Sequence, residues 1–260
     1  MKKAVEIKVP NDYSAITLRQ YLKVQKDLSN YEGEEDAQDA FLIYNLCGLT
    51  PQLISTLDST TLSAIREDLN KLMSKTDYEL QRFKTIDGIK YGFEPNLAEM
   101  PYGAYLDITK FDEITLDKNW PQVCNILFRP ITNSVAGVLY EIEKYKGAEP
   151  WEEDKWLDVT MDFHFGCFFF LHSYLQGLTP RYPELFESNG GDSGQHEQNF
   201  SRKWRGYTSI VQLANKDITK FDEVLERGLE ECLLYLAYTQ DKAQLEQLLH
   251  KQMLSKYKNK

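Results

Sequence analysis

Through the first seventy-odd residues the apolar positions recur at helical spacing, broken by residues that start and stop helices. Thr17 precedes LRQYLKVQKDL, in which Leu18, Tyr21, Leu22 and Leu28 lie close to one face, so a helix capped by Thr17 is predicted there. The acidic EGEED separates it from DAQDAFLIYNLCG, whose Gly48 suits a left-handed C-cap. Thr50 with Pro51 opens PQLISTL. Asp58 or Ser59 opens TTLSAIREDLNKLMS, which places Leu62, Ile65, Leu69 and Leu72 on one stripe. Ahead of these helices AVEIKV, residues 4–9, alternates apolar and polar up to Pro10 and reads as a short strand.

The period changes in mid-chain. RFKTI, then Asp87-Gly88, then IKYGFE predicts a β-hairpin near 82–95, because Asp-Gly supplies the positive φ angles of a tight type I′ turn. EMPYGAYLDITKF reads as extended or turn-rich, NWPQVCNILF as a helix ending before Pro130, and VAGVLYEIEKY as a strand near 138–145. From residue 149 the pattern is helical again, through the aromatic segment MDFHFGCFFFLHSYLQGL to about 177–183. SNGGDSGQHEQ, residues 188–198, has almost nothing to bury and reads as a flexible loop. Beyond it, Leu225, Leu229, Leu233, Leu236, Leu245 and Leu249 form a leucine seam suited to a bundle or a partner.

These elements predict a mainly α fold, bundle-like, with a small β-hairpin or sheet in mid-chain and an α+β arrangement as the alternative. The expected division is a helical domain over 1–187, the loop at 188–198 and a helical lobe over 199–260 packed on the first.

The heptapeptide DITKFDE occurs twice, at 107–113 and 217–223, but the flanks PYGAYL/ITLDKN and VQLANK/VLERGL do not align. A duplication carries its hydrophobic pattern with it, so this is shared local chemistry. Both copies read as helix starts, with Thr109 and Asp112, and Thr219 and Asp222, approximating capping boxes.

Composition narrows the function. A chain of 260 residues with 42% apolar and 27% charged residues affords a sizeable core. A net charge of −10 repels phosphate backbones, which argues against nucleic-acid binding, and the basic end KQMLSKYKNK reads as a solvated helix terminus. Cys47, Cys124, Cys167 and Cys232 form no CxxC pair, and no apolar run of signal-peptide length opens the chain, so free thiols in a reducing cytosol are expected. The aromatic segment is interrupted by Asp162, His164 and His172 and falls short of a membrane span of about 20 apolar residues. No membrane association is expected.

Candidate chemistry is sparse. His164, Cys167 and His172 look like metal ligands, but on a helix position 172 lies about 80° around the axis from 164, and no fourth ligand is near. Core packing is the simpler reading, and no metal or cofactor is expected. No G-x-S-x-G elbow, dinucleotide fingerprint or P-loop is present, and Gly190, Gly191 and Gly194 follow no buried strand. The residues expected to meet a partner are Phe163, Phe165, Phe168, Phe169, Phe170, Trp204, Tyr207 and Arg129. The rings bury large area with few rotors, and the guanidinium suits either helix carbonyls or a partner carboxylate.

Several motifs in order, ITLRQYLKVQ, YGFEPNLAEMPYGAYLDITKF, CNILFRPI with YEIEKYKG, FGCFFFL, and KWRGYTSIVQLANKDITKFDEVLERGLEECLLYLAY, resemble those of tailed-phage morphogenesis proteins, some of them tail assembly chaperones. The chain departs from that pattern at Arg205 and is longer than the best-known tail chaperones. The resemblance implies a non-enzymatic helper in the host cytoplasm that shields apolar surface on a tail protein until assembly, with self-association as a further contact. A structural virion subunit of the neck, connector or baseplate is the alternative. An enzyme with HFGCFFFLH as its site is the third reading, for which a shifted pKa in a cleft at His164 or Cys167 is the expected sign.

Overall fold

Thr17 caps the first α-helix as its position predicts. In the computed structural model of the chain, which describes residues 7–75, 77–111, 113–135, 139–147, 154–186 and 195–258, its side chain accepts from the Gln20 backbone N–H. The Gln20 side chain reaches back to Thr17, completing a capping box on α1 (Leu18–Asn30). Helix α2 (Glu35–Cys47) stops at Gly48, left-handed at φ 69°. Thr50 caps α3 (Pro51–Ile54), and Asp58 caps α4 (Ser59–Met73), whose Ile65, Leu69 and Leu72 are buried. Residues 4–6 of the predicted first strand lie outside the described residues, and 7–9 have no regular structure.

The hairpin forms where predicted, with β1 (Phe83–Ile86) and β2 (Ile89–Phe93) joined through Asp87 at φ 52° and Gly88 at φ 79°. Helix α5 (Tyr102–Thr109) then replaces the expected extended segment. Helix α6 (Trp120–Leu127) runs directly into β3 (Phe128–Val135), and β4 (Leu139–Ile142) completes a sheet in the order β1-β2-β3-β4. Tyr91 pairs with Pro130 and Phe93 with Phe128. Ile131 pairs with Ile142, and a register shift between Ile131 and Asn133 marks an irregularity beside the proline.

Helices α7 (Asp154–Leu157), α8 (Met161–Arg181), α9 (Pro183–Phe186), α10 (Gln195–Leu213, kinked at Trp204), α11 (Phe221–Glu226) and α12 (Leu229–Lys258) make up the rest. The fold is mainly α with a small four-stranded antiparallel sheet in mid-chain. The expected loop at 188–198 falls partly outside the described residues, and 195–198 already belong to α10.

Residues 1–88, 114–125 and 151–171 form one compact unit, and residues 89–113, 126–150 and 172–260 form another. The expected boundary at 188–198 is not where they part. A polar stretch marks a loop, but compactness is decided by contacts far apart in sequence.

Each unit ties two helix starts together by one short antiparallel bridge. In the first, Leu18 N–H donates to the Val159 carbonyl at 2.9 Å and Met161 N–H to the Ile16 carbonyl at 2.7 Å. In the second, Tyr102 N–H donates to Arg227 at 2.8 Å, Leu229 N–H to Met100 at 2.9 Å and Glu230 N–H to Ala98 at 2.9 Å. The opening N–H groups of a helix have no partner within it, so these bridges satisfy α5, α8 and α12 from outside. Helix α5 therefore needs no side-chain cap, and has none.

The two copies of DITKFDE adopt different structures. In the first, Asp107, Ile108 and Thr109 are the last turn of α5, and the Thr109 hydroxyl donates back to the Tyr105 carbonyl at 2.9 Å; Asp112 lies outside the described residues. In the second, Asp217 accepts from Thr219 N–H at 3.0 Å and caps a 3-10 turn leading into α11. In the second copy the capping box expected of Thr219 and Asp222 does not form, since Asp217 is the cap; the first copy ends a helix because residues before it are already helical.

Candidate functional site

In the first unit, the opening turns of α8 carry the chain's densest aromatic run into the core. His164 is fully buried. Trp120 Nε1, which can only donate, lies 2.9 Å from His164 Nδ1, so that nitrogen accepts and the ring's proton sits on Nε2, 3.0 Å from the Trp156 carbonyl. Trp156 Nε1 donates in turn to Asn125 Oδ1 at 2.7 Å. Burial pulls the imidazole pKa down to about 4, against support from the Trp156 carbonyl, so the ring is neutral with both nitrogens occupied. Burial also pushes the Cys167 and Cys124 thiols up. His172 lies exposed, bonded to Gln176. Among the described residues no group of His, Cys, Asp or Glu is placed to hold a metal ion.

The residues expected to meet a partner separate into two sets. Phe163 is fully buried, stacked on Trp156 at 6.1 Å. Phe165 sits among Tyr13, Tyr21 and Tyr78 at 4.9, 5.6 and 5.2 Å, and Phe168 is half-buried 5.3 Å from Trp120. Phe169 and Phe170, further along, are exposed. In the second unit Trp204 and Tyr207 are exposed side by side at 5.5 Å, and Tyr207 meets Phe221 at 5.7 Å. Arg129 is buried, ion-paired with Glu94, and lies 5.7 Å over the Tyr145 ring, whose hydroxyl donates to Asp107. Burial raises the Glu94 pKa and lowers that of Arg129, each against the attraction of the other charge. Arg129 thus neutralises an internal carboxylate. Phe163, Phe165 and Arg129 offer no surface, and Phe169, Phe170, Trp204 and Tyr207 do.

Two clefts accompany these residues. One in the first unit, about 530 Å³, is lined by Asp12, Lys75, Asp77, Tyr78, Glu79, Gln81 and Asp162. It is polar, and Lys75 is paired with Asp12 at 3.0 Å. The other, in the second unit, is about 730 Å³ and runs between the end of α10, α11 and the start of α12, with Leu213, Val224, Leu234, Tyr235 and Tyr238 among its walls. At its rim Arg227 pairs with Glu231 at 2.8 Å and with Glu223 at 2.6 Å, so the charges are largely balanced and an apolar interior remains open.

The leucine seam predicted for α12 divides in the same way. Leu229, Leu233 and Leu236 are buried, and this stretch packs against α5, α9 and α10. Leu234, Tyr235 and Tyr238 on the opposite side are exposed at 63, 49 and 61%. The beginning of α12 is apolar on both sides, only one of which is covered. Leucine spacing marked the buried side from Leu229 to Leu236, whereas Leu245 and Leu249 of the same seam are exposed. The missed tyrosines were legible as apolar residues one position away from each buried one. Trp120 and Trp156, which bond His164, and Asn125, which accepts from Trp156, carried no spacing signal because they lie on other elements than α8.

No family model, curated protein or solved structure matches this chain. No helix among the described residues is long and apolar enough to cross a membrane.

Proposed function

We propose that this chain is a non-enzymatic assembly protein of a tailed phage, a tail assembly chaperone that holds apolar surface of a tail protein in the cleft beside Tyr235 and Tyr238. The observation that carries this reading is the uncovered apolar wall of the second unit. Leu234, Tyr235 and Tyr238 stand in solvent on a helix whose other side is firmly packed, and they border a cleft with apolar walls. Exposed apolar surface gathered at a cleft and rimmed by polar residues is characteristic of protein-contact sites. Trp204 and Tyr207 add exposed rings to the same unit. The paired Arg227, Glu223 and Glu231 at the rim supply directional contacts without a net field that selects a strongly charged ligand.

The motifs shared with phage morphogenesis proteins supply the biological setting, and the buried, neutral, doubly bonded His164 supports a packing role for the most chemistry-like segment. The test is affinity capture of the tagged chain from phage-producing cells, together with mass spectrometry of purified particles. A tail protein is expected in the captured material and the chain itself is expected to be missing from mature particles. Capture of no virion protein overturns the reading, and a fixed copy number in particles converts the chaperone into a structural subunit.

A further inference from the structure

Past Gln240 the last helix leaves the body of its unit. From Asp241 to Tyr257 every residue except the half-buried Gln244 is exposed. At a rise of about 1.5 Å per residue this is an arm roughly 25 Å long. An isolated helix of about 12–15 residues is marginal in water even with favourable sequence, so the arm gains little from its own hydrogen bonds. It nevertheless carries Leu245, Leu248, Leu249 and Met253 at exposures of 46 to 60%, with Leu245, Leu249 and Met253 forming one ridge at intervals of four. A helix with such a ridge is stabilised by covering it.

Charge along the arm indicates what covers it. Asp241 and Glu246 lie in its first half, with Lys242 as the one base there, whereas Lys251 and Lys256 lie in its second half, which contains no acidic residue. Two such arms laid parallel set like against like. Laid antiparallel, each acidic half faces a basic half, and the two helix dipoles oppose as well. The ridge is also self-complementary about a two-fold axis near residues 248 and 249, where Leu248 and Leu249 meet the same pair of the other copy and Leu245 comes close to Met253 of the partner subunit.

We infer that residues 241–257 are a homodimerisation arm, pairing antiparallel with the same segment of a second copy of this chain. This assignment concerns a different part of α12 from the client cleft and stands or falls independently of it. Sedimentation equilibrium of the full chain is expected to give a dimer. A double variant, Leu245→Glu with Leu249→Glu, is expected to weaken association on the order of a hundredfold or more while leaving the near-ultraviolet circular dichroism of the core unchanged. Orientation is read by mixing Leu245→Cys and Met253→Cys chains under mild oxidation. Disulfides joining 245 to 253 are expected to exceed those joining identical positions. A chain monomeric at all concentrations, a dimer indifferent to the two glutamates, or a predominance of 245–245 disulfides overturns the assignment.

Discussion

Phe163, His164, Phe165 and Cys167 on α8 and Leu234, Tyr235, Tyr238 and Leu245 on α12 are equally apolar in character, yet the first set is buried and the second stands in solvent. The difference lies in what surrounds each. On α8 every polar atom of the segment's rings has a named partner, with Trp120 on one side of His164 and the Trp156 carbonyl on the other. On α12 one side is packed and the other, exposed at Leu234, Tyr235 and Tyr238, borders the cleft. Aromatic density therefore does not separate buried from exposed rings. Trp120, Trp156 and His164 lie in the core with their ring nitrogens bonded, as a buried indole or imidazole requires.

The sharpest way to break this comparison is to truncate one ring from each side. Trp120→Ala removes a fully buried indole and leaves His164 Nδ1 without its donor, so a loss of roughly 3–5 kcal/mol of stability is expected in denaturant titration. A comparable effect from an exposed residue of α12 would erase the distinction.

Acid provides the second test. His164 titrates near 4 in the fold against about 6.5 when unfolded, so between those values the unfolded chain binds more protons. The stabilisation from keeping the ring neutral is complete above about pH 6.5 and is lost as pH falls toward 4, roughly 3 kcal/mol in all. His164→Gln is expected to flatten that part of the stability-pH curve, and an unchanged slope would mean that the ring is not held neutral.

Gly166 sharpens the comparison at a smaller scale. A Cβ there would collide with the Glu79 carbonyl oxygen, a backbone atom that cannot swing aside. Gly166→Ala is expected to cost about 1–3 kcal/mol by thermal or chemical melting, as overpacking does elsewhere. The smallest effect belongs to Tyr238→Ala, which is expected to change stability by no more than about 0.5 kcal/mol, as exposed substitutions generally do.

Much of this fold could be read from local chemistry. Thr17, Thr50 and Asp58 as caps, Gly48 as a left-handed stop and Asp87-Gly88 as a turn all act through neighbours within a few residues. What escaped notice depends on distant partners. Helix α5 begins at a proline without a capping side chain, because Arg227 supplies the acceptor for Tyr102 N–H. Strand β3 contains Pro130, which reads as a strand breaker, yet its carbonyl accepts from Glu143 N–H at 2.9 Å beside the register shift. The two copies of DITKFDE make the point most directly, since identical residues end one helix and begin another. At the candidate site, the aromatic character of the α8 segment was legible, but its placement inside was set by Trp120, Trp156 and Asn125 from elsewhere in the chain.

The most direct measurement is site-specific photo-crosslinking in phage-producing cells, with a photoreactive phenylalanine placed in turn at Tyr238 and at Phe163. An adduct to a tail protein from position 238, with none from position 163, is the predicted result. Position 238 yielding no protein adduct would contradict the account.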